Sequence, residues 1–78
     1  MYVYKVYDEH PRLSRLPEQR LVLVATRKRE ALRSLRNGTY FTCYVYDREG
    51  NLVGRLTRDG DIFALEPGEV PGYPYRHL

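Results

Sequence analysis

Residues 20–38, RLVLVATRKREALRSLRNG, decide the fold because they indicate a strand followed directly by a helix. The first six residues, RLVLVA, are apolar on both faces, whereas a strand with one solvated face alternates apolar and polar residues. This pattern is typical of a central strand covered on both sides, or of a strand paired at an interface. The stretch therefore predicts a sheet with at least one covering layer.

A helix is predicted from Thr26 to Arg36. Thr26 suits the N-cap position, where a hydroxyl accepts a bond from a free backbone N–H. Asn37-Gly38 ends the helix, with Gly38 expected in a left-handed cap conformation. The apolar residues spaced for one narrow buried stripe are Ala31, Leu32 and Leu35.

On the N-terminal side, residues 2–7 read as a strand, with Tyr2 and Tyr4 on one face and Lys5 on the other. Residues 8–19 contain two prolines and read as a loop. A connection of this length is long for so small a chain, and such loops are often functional or mobile.

On the C-terminal side, residues 39–46 alternate in the manner of a half-buried strand. The inward set is Phe41, Cys43 and Val45, and the outward set is Tyr40, Thr42, Tyr44 and Tyr46. Residues 47–50 suit a turn, residues 52–57 a return strand, and Asp59-Gly60 a two-residue hairpin loop before a strand at 61–65.

The predicted fold class is α+β, a β-β-α-β-β-β chain with one helix packed on a mostly antiparallel, curved sheet. If the second and third strands lie parallel in one sheet, the helix is a crossover connection between them. Residues 1–66 are assigned to a single domain and residues 67–78 to a tail rich in Pro, Gly and Tyr.

The chain of 78 residues has room for one small core, which contributes roughly 3–5 kcal/mol net. Cys43 is the only cysteine, so no internal disulfide stabilises the fold, and a small buried apolar role is expected for it. Oligomerisation would supply further stability. The chain contains eleven Arg but only two Lys, and it has few Asn, Gln, Met or Cys residues. This composition fits either heat adaptation or a GC-rich genome.

The net charge of +3 and the pI of about 9.2 allow contact with nucleic acid without requiring it. No apolar run is long enough to span a membrane, and the N-terminal residues do not match a secretion signal. A cytoplasmic location without membrane partners is expected.

Positive charge is concentrated where the helix dipole disfavours it. Arg27, Lys28 and Arg29 open the predicted helix, although the N-terminal end of a helix favours acidic residues. Arg29, Arg33 and Arg36 continue as one exposed stripe. These five residues are candidates for contact with an anion or a nucleic acid; an ordinary solvated face of an Arg-rich protein is the alternative.

Tyrosine is abundant, with eight residues in the chain. Three interpretations stay open for the rings on the sheet: structural cross-strand pairs, a protein interface, or a platform on which unpaired bases stack. The candidate surface rings are Tyr2, Tyr4, Tyr40, Tyr44 and Tyr46. In the tail, Tyr73 and Tyr75 are candidates for docking on a partner or for packing back on the sheet.

No pattern indicates catalysis, a metal site or a cofactor. His10 and His77 lack a metal-ligand spacing, and Asp8, Glu9 and His10 are consecutive residues that rarely converge on one ion. The sequence therefore favours a non-catalytic binding module, most simply a self-associating protein-interaction or regulatory module. The alternative is a module that binds RNA or single-stranded DNA, in which the helix bases hold phosphates while the sheet tyrosines stack bases.

Overall fold

A computed structural model describes residues 1–9 and 20–65, and it confirms the α+β class. Most of the predicted loop over residues 8–19, and the whole predicted tail with Tyr73 and Tyr75, lie outside these residues. In chain order the elements are β1 (Val3–Asp8), β2 (Arg20–Ala25), α1 (Lys28–Asn37), β3 (Phe41–Tyr46), β4 (Leu52–Leu56) and β5 (Ile62–Phe63).

The five strands form one sheet in the order β2-β1-β3-β4-β5, with every neighbouring pair antiparallel. Since β2 and β3 both run antiparallel to β1, they run parallel to each other on its two sides. Helix α1 therefore connects two parallel strands across β1, as the crossover prediction requires. Of the two alternatives for β2, the central position is wrong, because β2 lies at an edge among the described strands. Pairing at an interface stays a prediction.

The core lies between α1 and the sheet face that it covers. This face carries the alternate residues of β1 and β3, as the period of two predicts. Fully or almost fully buried in it are Tyr4, Val6, Ala31, Leu35, Cys43, Val45 and Leu56. The predicted inward set of β3 and the helix stripe are thereby confirmed, with Leu32 and Phe41 partly buried against the core.

The helix begins later than predicted and without a polar cap. Arg27, not Thr26, is the N-cap residue, with extended dihedral angles of φ −116° and ψ 129°, and its side chain makes no capping hydrogen bond. Its carbonyl accepts from Glu30 N at 3.1 Å and from Ala31 N at 3.2 Å. The first turn therefore presents backbone donors beside the cations of Lys28 and Arg29.

Gly38 ends the helix for a different reason from the predicted one. Its φ of −123° is ordinary extended backbone, so no left-handed cap forms. A Cβ atom at this position would overlap the aromatic ring of Phe41. The absent side chain allows the Phe41 ring to lie directly against the backbone at the helix end.

A bulge in β2 changes which face its first residues occupy. Val6 lies opposite Leu23, but Tyr7 lies opposite Leu21, so Val22 is an extra residue in β2. Such a bulge locally shifts the alternation of side chains. Leu21 consequently shares the face of Tyr7, away from α1.

The β3–β4 hairpin is closed by a three-residue loop. Asp47 N donates to Asn51 O at 2.9 Å, and Gly50 N donates to Asp47 O at 3.0 Å. Gly50 adopts φ +89°, a conformation that glycine provides without steric cost. The Asp47 carboxylate accepts from the backbone N–H groups of Glu49 and Asn51, both at 2.9 Å.

The β4–β5 hairpin repeats this scheme, so the predicted two-residue loop is wrong by one residue. Thr57 N donates to Asp61 O at 2.8 Å, and Gly60, at φ +97°, donates to Thr57 O at 2.9 Å. Thr57 Oγ1 accepts from Asp61 N at 3.2 Å, in the place that the carboxylate takes in the first loop. The segments 47–51 (DREGN) and 57–61 (TRDGD) are thus equivalent loops.

The carboxylate of Asp47 gives the β3–β4 loop a pH dependence. Backbone hydrogen bonds, first from Asn51 and then from Glu49, lower the pKa of Asp47 below its usual 3.8. Since the folded pKa lies below the unfolded one, this stabilisation is complete above about pH 4 and is lost as the pH falls through the folded value. We expect D47N, whose side-chain oxygen still accepts, to lose less stability than the parent between pH 5 and pH 2. Urea midpoints at each pH measure this difference, and parallel curves for the two proteins would contradict it.

Candidate interaction surfaces

The sheet face away from α1, here called the open face, carries one row of side chains that crosses all five strands. Lys5 on β1 lies opposite both Val24 and Tyr44. Tyr44 in turn lies opposite Arg55, which lies opposite Phe63. The row therefore reads Val24, Lys5, Tyr44, Arg55, Phe63. Cations alternate in it with apolar or aromatic groups.

The tyrosines of the open face pack against their neighbours. The rings of Tyr7 and Tyr44 meet edge to face with centroids 5.8 Å apart, and Tyr44 is only 3% exposed. The Lys5 ammonium lies 4.7 Å from the centroid of the Tyr46 ring, within the range of a cation–π contact. Burial, with Tyr7 and Tyr44 nearby, raises the pKa of Tyr46 to about 12. These contacts support the structural interpretation of the rings.

The five candidate surface tyrosines differ in face and exposure. Tyr4 points toward α1, is 6% exposed and belongs to the core, where its ring meets that of Tyr2 edge to face. Tyr44 is buried on the opposite face. Exposed rings remain at Tyr2 and at Tyr40, which precedes β3, and Tyr46 is half-buried. Alternation assigns the faces correctly but does not show which positions neighbouring side chains cover.

Strand β2 presents exposed apolar side chains at the edge of the sheet. Leu21, Val22 and Val24 are between 44% and 51% exposed. Among the described strands, β2 pairs only with β1, so its outer backbone groups form a free edge there. Its charged residue, Arg20, lies at one end and forms an ion pair of 3.5 Å with Asp8 of the neighbouring strand.

Helix α1 presents a second surface, the basic helix face, formed by Lys28, Arg29, Arg33 and Arg36. These residues line an open groove of about 670 Å³ together with Leu32 and Asn37. Within residues 1–9 and 20–65, no carboxylate lies within 4 Å of the charged groups of these four residues. The fifth candidate, Arg27, is exposed at the N-cap. The structure therefore brings the predicted cations together, and none of those on the basic helix face forms an ion pair with a described carboxylate.

One of these cations also has a structural role that the sequence does not reveal. Arg36 donates through Nε and Nη2 to the carbonyl of Arg58, at 2.9 and 2.7 Å. Arg58 donates back to the carbonyls of Gly38 and Thr39, at 2.6 and 3.3 Å. The two guanidinium groups thus tie the end of α1 to the β4–β5 loop. Residues 22 apart in sequence carry no local signal of such a contact.

The equivalent loops allow a matched test of these hydrogen bonds between α1 and the β4–β5 loop, here called the brace. Arg58 and Arg48 occupy the same loop position, but only Arg58 takes part in the brace. We expect R58A to destabilise the fold by about 1–2 kcal/mol, since exposed hydrogen bonds contribute about 0.5–1.5 kcal/mol each. R48A should change the free energy of unfolding by less than about 0.5 kcal/mol. Urea unfolding measures this free energy for both variants, and equal effects would contradict the brace.

The open face and the basic helix face lie on opposite sides of the molecule. Tyr44 and Tyr46 project from the sheet face that α1 does not cover, whereas the helix cations line the outer side of α1. One nucleic acid strand lying on α1 does not reach these two rings. Tyr44 and Tyr46 are therefore not placed to stack the bases of a strand whose phosphates lie on α1. Tyr40, the third ring of the single-strand alternative, is exposed between the end of α1 and the start of β3.

No known protein family, curated protein or solved structure matched this chain. Over the described ranges, no group of three or more His, Cys, Asp or Glu side chains is placed to hold a metal ion. No described helix has the length and hydropathy needed to cross a lipid bilayer.

Proposed function

We propose that this protein is a non-catalytic interaction module that self-associates through the edge strand β2. The observation that supports this is the exposed apolar run of Leu21, Val22 and Val24 in a chain whose mean hydropathy is −0.60. Proteins that stay monomeric protect such edges with lysine, proline or a covering segment. The bulge at Val22 is the one protective device seen on β2 itself.

The sequence of β2 is compatible with pairing to a second copy of itself. In an antiparallel pair related by a two-fold axis, the two runs RLVLVA lie side by side in opposite directions. Arg20 of each copy then lies near Ala25 and Thr26 of the other, and already has Asp8 as its partner. The two Arg20 residues lie at opposite ends of the pair, and apolar side chains face apolar side chains.

The expected association is weak to moderate. Burying a valine or leucine completely contributes about 1.5–3 kcal/mol, so a half-exposed side chain contributes about half of that. Three such residues on each of two copies yield about 5–9 kcal/mol. Loss of translational and rotational freedom costs about 4–15 kcal/mol. The cost is comparable to the gain from burial, so the proposed dimer is a weak one that forms only as the protein concentration rises, and the thermal midpoint should rise with it.

Sedimentation velocity between low and high micromolar concentration tests the proposal. We expect V24K to shift the protein to monomer, because a lysine on a free edge opposes strand pairing. F63K is the matched control, since Phe63 is exposed at the other edge of the same sheet. Monomer at every concentration would refute self-association. Equal loss in F63K and V24K would place the contact on the open face instead of the β2 edge.

A further inference from the structure

The basic helix face concentrates charge at a cost to the helix. Arg29 and Arg33 are four residues apart, a spacing at which like charges repel. Lys28 and Arg29 lie in the first turn, where the dipole disfavours cations, and Glu30 is the acidic residue of that turn. Within the described part of the chain, none of these cations forms an ion pair within 4 Å. The internal contacts of the fold thus leave this charge available to an external anion.

The spacing of the cations matches a regular polyanion. Arg29 and Arg36 are seven residues apart, or about 10.5 Å along the axis at a rise of 1.5 Å per residue. A nucleic acid duplex carries one negative charge per roughly 1.7 Å of its axis, hence about six over that length. The exposed backbone N–H groups at the uncapped start of α1 add donors at one end.

We infer that the basic helix face docks on the phosphate backbone of double-stranded DNA. A duplex requires only phosphate contacts, whereas a single strand is usually held by stacked aromatic rings, and the rings of Tyr44 and Tyr46 lie on the opposite side of this molecule. The B-form major groove, about 12 Å wide, admits an α-helix, while that of A-form RNA is deep and narrow. This inference does not depend on self-association.

The centre of the surface is at Arg29 and Arg33. Gly60 in the β4–β5 loop lies next to Lys28, since a Cβ added there would be 3.9 Å from Lys28 Cε. Its neighbours Asp59 and Asp61 form no ion pair with Lys28, but their charge opposes phosphates at this end of the groove. Arg36 contributes charge while two of its donors hold the Arg58 carbonyl.

Fluorescence anisotropy with a labelled 20-base-pair DNA duplex of arbitrary sequence tests the inference. Three or four phosphate contacts give a slope of about −2.7 to −3.6 in log K against log salt. Affinity should therefore fall about 40- to 150-fold between 50 and 200 mM salt. R33E should weaken binding at least about tenfold, and R29E combined with R33E should abolish it.

R48E is the matched control for R33E, because it makes the same change in net charge at an exposed loop residue. It should alter affinity less than about twofold. R29E places a carboxylate in the first turn, where the helix dipole favours it, and R33E replaces the repulsion between Arg29 and Arg33 with an attraction, so the thermal midpoint of each single variant should equal or exceed that of the parent. Loss of binding by a protein of unchanged midpoint is then not caused by unfolding.

Competition identifies the partner. The duplex should bind more tightly than a single-stranded 20-mer, an RNA duplex, polyglutamate, or vesicles of phosphatidylserine and phosphatidylcholine. Tighter binding of any of these, a salt-independent affinity, equal loss in R48E, or no binding at 50 mM salt would overturn the inference. At a concentration where the parent is monomeric, V24K should bind the duplex with the same affinity per chain as the parent. Failure of DNA binding can therefore be distinguished from failure of self-association.

Discussion

Replacing Leu56 with alanine is expected to unfold a large part of the population at room temperature. Leu56 is buried on β4, opposite Cys43 on β3 and Ile62 on β5. Truncating a buried leucine costs about 2–5 kcal/mol, through lost burial and the cavity left behind. A core of this size supplies about 3–5 kcal/mol net, so the variant has little or no stability left.

The same strand provides the control for Leu56. Leu52 is also a leucine on β4 but is 37% exposed, so L52A should cost less, about 1–2 kcal/mol. Urea unfolding monitored by circular dichroism gives both values. A cost for L56A equal to that of L52A would show that β4 does not close the core.

The reactivity of the Cys43 thiol reports on the unfolding that L56A is expected to cause. Burial raises the pKa of its thiol to about 12, and the residue is fully buried. Relative to the usual pKa of 9.0, the thiolate fraction at pH 8 is about 1,000-fold lower, so thiol reagents react mainly with unfolded chains. We expect labelling to be slow in the parent, fast in urea, and fast without urea in L56A. Rapid labelling of the parent would contradict the assigned burial of Cys43.

Adding one methyl group at Gly54 is expected to detach β5 from the sheet. A Cβ atom there would overlap the backbone carbonyl of Phe63, which cannot rotate away as a side chain can. Only separation of β4 from β5 relieves the overlap, which also removes Ile62 from the core. Overpacking of this kind typically costs about 1–3 kcal/mol, and we place G54A near the upper end. For a chain this short, about 3 kcal/mol lowers the thermal midpoint by roughly 10–20 °C.

Gly50 provides the control because its constraint is different. It has φ +89°, and a Cβ atom added there would have no neighbour within 4 Å, so G50A stores backbone strain without a collision. Asparagine tolerates positive φ better than alanine, so G50N should recover part of the loss at this position. G54N should recover nothing. Amide exchange at Thr57, whose N–H donates to Asp61, should accelerate in G54A beyond the global effect and not in G50A.

The sequence is sufficient to predict the helix and the strands, but it does not show which strands lie next to each other. The alternation of Phe41, Cys43 and Val45 predicts the buried face of β3, and the apolar spacing of α1 predicts Ala31 and Leu35, because both signals are local and periodic. Strand order depends on pairings between distant residues, which no local pattern encodes. The doubly apolar composition of β2 is therefore compatible with the centre of the sheet or with an interface, and it does not show that the strand lies at the edge of the described sheet.

For the same reason, the sequence predicts some of the candidate residues and misses others. Charge and helical spacing are local, so they predict the basic helix face, apart from a start two residues too early. Two of the candidate surface rings, Tyr4 and Tyr44, are buried, because exposure depends on what packs around a ring and not on the strand period alone. The link from Arg36 to Arg58, and the fit of the Phe41 ring against Gly38, exist only after folding.

The position of α1 has a consequence for valency. Helix α1 packs near the β2 end of the sheet, where it contacts β2, β1 and β3. Antiparallel joining of two β2 strands places the dyad perpendicular to the sheet, so both copies keep the same side facing the same way. The two helices would then lie on one side of a continuous ten-stranded layer. A long polyanion engaging one helix would meet the second at an effective concentration in the millimolar range, so avidity would exceed the affinity of either copy alone.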